Sequence, residues 1–285
     1  MRVSLMTRAV VAGAVSVTAL SGCSSTTGPD MEPTRSSLIV ADTGSPVQSV
    51  LAHVYAGALQ RSGAEVSVSS VDGLDAALTG LDDASISMVP GFTGSLLTRF
   101  DPRSDARESD EVYSALARAL PEWLSLTDQG LAENGPTVSV PESVGSTLSA
   151  ATLSALSPRC DALSARIESG AALEGVRAAL AEVYGCRFAA AGPAADPDVT
   201  VVTATDRVAD TSAAQVVLSD DDDAFRADVV VPLFRKGVVG DDRSRSLQIV
   251  AGELTTADLV EMVDRVRSGD DSARVAEDWL SGLTF

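Results

Sequence analysis

SLIVADTGSPVQSVLAHVYAGALQRSGAEVSVSS, residues 37–70, passes through three periodicities in succession. SLIVA (37–41) is a short apolar run of the kind that forms a buried strand. Asp42-Thr43-Gly44-Ser45-Pro46 follows as a loop with a helix N-cap signal. Val47, Val50, Leu51, Val54, Tyr55, Ala58 and Leu59 then recur at helical spacing, and Gly63 stops that helix. AEVSVSS (64–70) alternates as a second strand, VDGLDAALTG (71–80) reads as a short helix ending at Gly80, and ASISMV (84–89) as a third strand. This β-loop-α-β-α-β order calls for a parallel sheet with crossover helices. Open parallel sheets bind ligands beyond the carboxyl ends of their strands. Two loops are singled out on that ground: 42–46, carrying Asp42 and Thr43, and 90–94, carrying Phe92 and Thr93.

The chain continues with a helical pattern over 109–133, a break at Pro136 and a strand at 137–140 that opens on Thr137. Helices are expected at 146–156 and 170–184, and strands at 186–190, 199–203, 216–218 and 228–234. Three helices, 244–252, 255–267 and 271–281, complete it. Asp220–Asp223 lacks the alternating oxygen ligands of a calcium loop and reads as a solvated loop.

With 285 residues the chain can form two compact lobes, and 45% hydrophobic residues supply a core. The formal charge is −19, and the basic residues do not cluster, which argues against nucleic acid as a partner. There is one histidine, His53, which leaves Ser-His-Asp chemistry without support. No G-x-S-x-G, P-loop or metal-ligand spacing occurs, so an enzyme, a cofactor and a metal are all unexpected.

The compartment is read from MRVSLMTRAVVAGAVSVTALSGC (1–23). Arg2 and Arg8 form a basic start. Residues 9–20 are apolar but too short to span a bilayer, which fits a signal peptide over 1–22. Leu20-Ser21-Gly22-Cys23 resembles the bacterial lipobox, whose cleavage leaves the cysteine lipidated. Residues 23–36 then form a polar tether between the lipid, a palmitate-type acyl group, and the folded part. The expected location is the extracytoplasmic face of the cell membrane, held there by lipid alone. Cys160 and Cys186 remain, and two thiols in an exported protein most simply form one disulfide.

Three stretches, in order, resemble one family. They are SLIVADTGSPVQSVLAHVYAGALQRSGAEV, ISMVPGFTGSLL, and VVLSDDDDAFRADVVVPLFRKGVV continuing through AGELTTADLVEMVDRV to VAEDWL. The family is that of the glycine betaine, choline and carnitine substrate-binding proteins of ABC importers, the quaternary-amine type. The resemblance covers residues 37–285. It implies an α/β fold of the type II periplasmic-binding-protein kind, two lobes with mixed sheets joined by two crossovers. Lobe one would be 37–136 plus 228–285, and lobe two 137–227. It implies a monomer that binds a small polar, zwitterionic or cationic solute in the inter-lobe cleft and delivers it to an ABC permease. Asp42, Thr43, Phe92, Thr93, Thr137 and Asp206 would line that cleft, and Arg166 is a further candidate for holding a carboxylate.

The departures are equally specific. Family members cage a quaternary ammonium in aromatic rings. Here the Pro-Glu-Tyr-Thr-Gly segment has become Pro90-Gly91-Phe92-Thr93-Gly94, with one ring left. The first loop lacks the usual Lys and Phe, Asn134–Thr137 has no ring, and Phe225-Arg226-Ala227-Asp228 replaces prolines and a tyrosine. A rival expectation follows: an orphan cell-envelope lipoprotein that keeps the scaffold but acts in envelope assembly or protein interaction.

Overall fold

The computed structural model describes residues 37–168, 170, 173, 175–192, 196–207 and 214–285. The signal peptide, Cys23 and the tether lie outside the described residues.

The first strand, β1 (Leu38–Asp42), leads into α1 (Pro46–Arg61) as expected. Pro46 fits the first helical turn, where no backbone N–H is needed, and the Ser45 side chain accepts from the Gln48 N–H at 3.3 Å. β2 (Val66–Ser70), α2 (Gly73–Asp83) and β3 (Met88–Phe92) follow, with β2 and β3 both parallel to β1. Gly80 does not end α2, which runs on to Asp83. A Cβ at Gly80 would lie 2.5 Å from Ile86 Cγ1, so the glycine serves close packing.

β3 extends further than its apolar run suggests. Pro90, Gly91 and Phe92 belong to the strand, not to a loop, and pair antiparallel with β10 (Val230–Arg235). Pro90 lies opposite Pro232. Antiparallel partners alternate between hydrogen-bonded and unbonded pairs, and two prolines facing each other suit the unbonded kind. The expected bend over 90–94 thus shrinks to a single joint, because α3 (Thr93–Phe100) begins at once.

α4 covers Ser109–Ala119 only, where the sequence pattern suggested helix to 133. Leu120 is already extended ahead of Pro121, and Leu124–Leu126 forms β4 against Leu233–Arg235. The first sheet has the order β2-β1-β3-β10-β4. One face packs on α1 and the C-terminal helices α8 (Asp241–Glu253), α9 (Thr256–Arg267) and α10 (Ser272–Leu280). The other packs on α2, α3 and α4. Sandwiched between the sheet and three helices, α1 is buried on most of its surface.

The second sheet contains β5 (Pro136–Pro141), β6 (Ser164–Ile167), β7 (Ala189–Ala190), β8 (Val199–Thr203) and β9 (Gln215–Leu218), in the order β7-β6-β8-β5-β9. β5 runs antiparallel to both neighbours, while β6 is parallel to β7 and β8. Its own core forms around Val138, Val140, Leu153, Leu156, Val199 and Val201. Of the helix expected over 146–156 only the single turn α6 (Leu153–Leu156) is α-helical, followed by a 3-10 turn at Ser157–Ala162; another single turn, α5 (Glu142–Gly145), precedes the range. The helix expected over 170–184 is α7 (Val176–Val183), entered through Gly175 at φ 80°. β6 was not expected at all.

The chain passes between the sheets twice, after β4 and again before β10. The two passages run side by side: Glu133 and Val229 form an antiparallel bridge, and the Asn134 N–H donates to the Asp228 carbonyl at 2.9 Å. The Asp220–Asp223 loop is more organised than a solvated run. Asp220 accepts from the Ala224 N–H at 2.9 Å and the Phe225 N–H at 2.8 Å, fixing the start of the second passage.

Cys160 and Cys186 are bridged, with Cα atoms 5.0 Å apart, and join the 3-10 turn to the segment after α7. Closing this loop of sequence separation 26 stabilises the second lobe by about 3 kcal/mol in the chain-entropy view. Thiol labelling of the unreduced, denatured protein should leave both cysteines unmodified. Replacing both with alanine should lower unfolding stability by about that amount in denaturant titration.

Candidate functional site

The joint between β3 and α3 is tied to the return strand. The Thr93 N–H donates to the Val229 carbonyl at 2.8 Å, and its hydroxyl accepts from the Val229 N–H at 3.0 Å. Asp228, only 2% exposed, accepts from the Ser95 N–H at 2.6 Å and the Ser95 hydroxyl at 2.9 Å. The Gly94 N–H adds a further bond. A buried carboxylate thus sits on the exposed amides that begin α3, where the helix dipole favours negative charge. Burial nevertheless dominates and pushes the Asp228 carboxyl up to about 7, against the pull of Ser95, Gly94 and Arg226. Gly94 permits this approach, since a Cβ there would lie 2.5 Å from the Ala227 carbonyl oxygen.

Beside the joint opens a cavity of about 320 Å³. Gly94, Thr98 and Arg107 line it from α3 and the loop after it, Pro136 from the start of β5, Val176 from α7, and Arg226 from the second passage. That volume suits a small solute. Arg226 crosses between the loops: its Nε donates to the Ala106 carbonyl at 3.0 Å, one terminal nitrogen to Thr98 Oγ1 at 2.8 Å, and the other to the Ser104 carbonyl. Arg107 donates to the Ala224 carbonyl, and the Ala227 N–H returns a bond to the Arg107 carbonyl at 2.9 Å.

None of the six residues expected at the cleft lines this cavity. Phe92 is 5% exposed and packs into the core with Met88 and Val230, while Thr93 is fully buried. Asp42, at the end of β1, accepts from the Gly44 N–H and the Ser49 hydroxyl, both at 2.8 Å, and Thr43 follows it half-buried. Because β1 and β3 are parallel, the Asp42 loop and the Thr93 joint share one edge of the first sheet. Thr137 lies on β5 opposite Val202, next to the cavity residue Pro136. Asp206 sits in a 3-10 turn, bonded by the Thr203 hydroxyl at 2.8 Å and ion-paired with Arg267 of α9. Thr205 of that turn bonds Asn134 Oδ1 through both its N–H, at 2.9 Å, and its hydroxyl, at 2.8 Å. Thr137 and Asp206 are therefore brought together around the first passage. Arg166 lies on β6 opposite Thr200.

The residues that sequence reasoning missed are Ser95, Arg107, Arg226 and Asp228. Arg226 and Asp228 had a signal, since the resemblance implies prolines and a tyrosine in the segment 225–228. Among the described residues no group of three His, Cys, Asp or Glu is placed to hold a metal, and no helix is long and apolar enough to cross a membrane.

Two mixed sheets, each with its own core, connected by paired passages beside a solute-sized cavity, define a bilobal type II periplasmic-binding-protein fold. The family model for the substrate-binding domain of ABC-type glycine betaine transport systems, OpuAC, matches residues 36–282. The chain belongs to that family. Solved structures agree on the fold. A glycine betaine/carnitine/choline ABC transporter protein is 15% identical with a TM-score of 0.72, covering 86% of this chain and 98% of that one. Apo YehZ from Escherichia coli is 18% identical with a TM-score of 0.70, over 87% and 98%. An ABC-transporter choline-binding protein in complex with choline is 16% identical with a TM-score of 0.54, over 86% and 88%. A search of curated proteins finds no match. The protein is thus a substrate-binding protein of the ABC-type glycine betaine transport family, an extracytoplasmic transport family.

Asp228 gives this joint a definite pH signature. Its folded value lies above the ordinary carboxylate range, so its contribution to stability is whole below about pH 4 and is lost as pH rises toward 7. The stability of the native protein minus that of Asp228→Asn should therefore fall between pH 4 and 7, by up to roughly 4 kcal/mol. A difference that stays flat across that range in urea titrations would contradict the assignment.

Proposed function

We propose that this chain is the receptor of an ABC importer, anchored outside the membrane by lipid on Cys23, closing two lobes over a small polar, zwitterionic or cationic solute. Lobe one is 37–136 with 228–285, and lobe two is 137–227. The cavity carries the reading, because it draws its walls from α3 and the loop after it, from α7 and the start of β5, and from the second passage. Asp42 and Thr43 from one lobe, and Thr137 and Asp206 from the other, meet the solute as the lobes close, with Phe92 and Thr93 behind Gly94 forming the rigid wall. Paired passages suit a hinge, because few backbone torsions there change the angle between two intact cores. The chain acts as a monomer beside its permease, with no cofactor.

Solute at 100 times its Kd should add ~2.7 kcal/mol, which for a chain of this size raises the melting temperature by roughly 5–10 °C. A screen of amines, betaines, amino acids and sugars in which no member moves the melting temperature would favour an envelope role without transport.

The anchor has its own test. Cells expressing the full chain should incorporate labelled palmitate into it, and Cys23→Ala should abolish both the label and its membrane retention. Equal labelling of the variant would place the lipid elsewhere.

A further inference from the structure

A pair of passages between two packed bodies defines an axis but leaves the bend about it unset. The bend is set by whatever joins the bodies beside the axis. The first passage is pinned on both sides. The Glu133 N–H donates to Thr256 Oγ1 of α9 at 3.0 Å, the Asn134 side-chain oxygen accepts from Thr205, and the Gly135 carbonyl accepts from the Ala204 N–H at 3.1 Å. The 3-10 turn after β8, Ala204–Asp206, therefore lies against the axis on the side of the second sheet, and α9 on the side of the first.

Arg267, the last residue of α9, spans the two. One terminal nitrogen donates to the Thr205 carbonyl and the other to the Asp206 carboxylate. A planar guanidinium fork suits two acceptors on adjacent residues. Asp264, one turn back on α9, lies 3.7 Å from the same guanidinium and steadies it from its own side. The ion pairs of Arg61, Arg99 and Arg265 all join residues around the first sheet, whereas that of Arg267 with Asp206 crosses to the second. Neither end yields easily. α9 starts on a capping box and is anchored in the core by Leu259, Met262 and Val263. The turn is braced by the Thr203 hydroxyl, which donates to Asp206 at 2.8 Å, and by Asn134 on the fully buried Thr205. Between two stiff elements, the adjustable part is the arginine side chain. Because the contact lies close to the axis, the small displacement that breaks its bonds corresponds to a much larger one at the rims of the lobes.

We propose that Arg267 is an inter-lobe latch: it fixes the angle between the lobes by tying α9 to the Ala204–Asp206 turn, and its release lets them move. The inference rests on the receptor reading, since a latch matters only where lobes close over a solute, and it names the contact that this movement breaks. The Arg267 and Asp206 side chains are 32% and 54% exposed, so solvent screens the pair and keeps it weak. Pairs of this kind shift an equilibrium by up to about 5-fold, the scale that a reversible motion requires.

Distances between spin labels test this in the full chain without any solute. One label goes on Ala117→Cys of α4 and one on Ser149→Cys beside the second sheet, both exposed positions, with single-label controls to remove any signal from Cys23. The native protein should give a narrow distribution. Arg267→Gln should broaden it, raising the population outside the native peak about 5-fold, and Arg267→Lys, which keeps the charge, should recover part of the change. Asp206→Asn should reproduce the broadening from the other lobe, and carries the test alone if Arg267→Gln does not fold. Salt at about 1 M should move the native distribution toward that of Arg267→Gln and leave the variant unchanged. Equal distributions for the native protein, Arg267→Gln and Asp206→Asn, or a salt response equal in native protein and variants, overturn the latch and leave the receptor reading standing. Silence in the solute screen overturns the receptor reading whatever the distances are.

Discussion

The structure turns on one buried carboxylate. Asp228 has no ion-pair partner among the described residues and is held by the amides and hydroxyl that begin α3. A helix of eight residues has little stability of its own, so the cap matters to it. The same residue lies on the second passage, and its carbonyl takes the Asn134 N–H from the first. One residue thereby ties the start of a helix, through its side chain, to the point where the two passages run together, through its backbone. The close approach depends on Gly94 having no side chain, and the two bonds between Thr93 and Val229 keep the strands in register. The stretch 224–228 along the cavity is held at this end by Asp228 and at the other by Asp220, which accepts from the Ala224 and Phe225 N–H groups.

The parts legible in the sequence were those whose local pattern matches their burial. Buried parallel strands read as unbroken apolar runs, as in SLIVA, and the helices after 240 repeat their apolar positions every three or four residues. The parts that were not legible owe their form to distant partners. Pro90 and Gly91 look like a turn, and they are strand because β10 presents a second proline opposite the first. Gly80 looks like a stop, and it is helix because Ile86 needs the space. Ser164–Ile167 is too short and too polar to announce itself, and becomes a strand only between β7 and β8.

None of the six residues expected at the cleft lines the cavity. Strand order alone pointed to the right edge of the first sheet, and the Thr93 joint does adjoin the cavity through Gly94. The chemistry lay elsewhere, on the loop between α3 and α4 and on the second passage. Neither has periodicity or a motif, and Arg107 and Arg226 are 119 positions apart in sequence by their numbers. The usable signal was departure from the pattern the resemblance implies, an arginine and an aspartate in a segment expected to hold prolines and a tyrosine. Read as a loss of rings, that change removes recognition. Set in the structure, Arg226 brings three polar anchors to the stretch 98–106, and Arg226 and Asp228 both line the cavity.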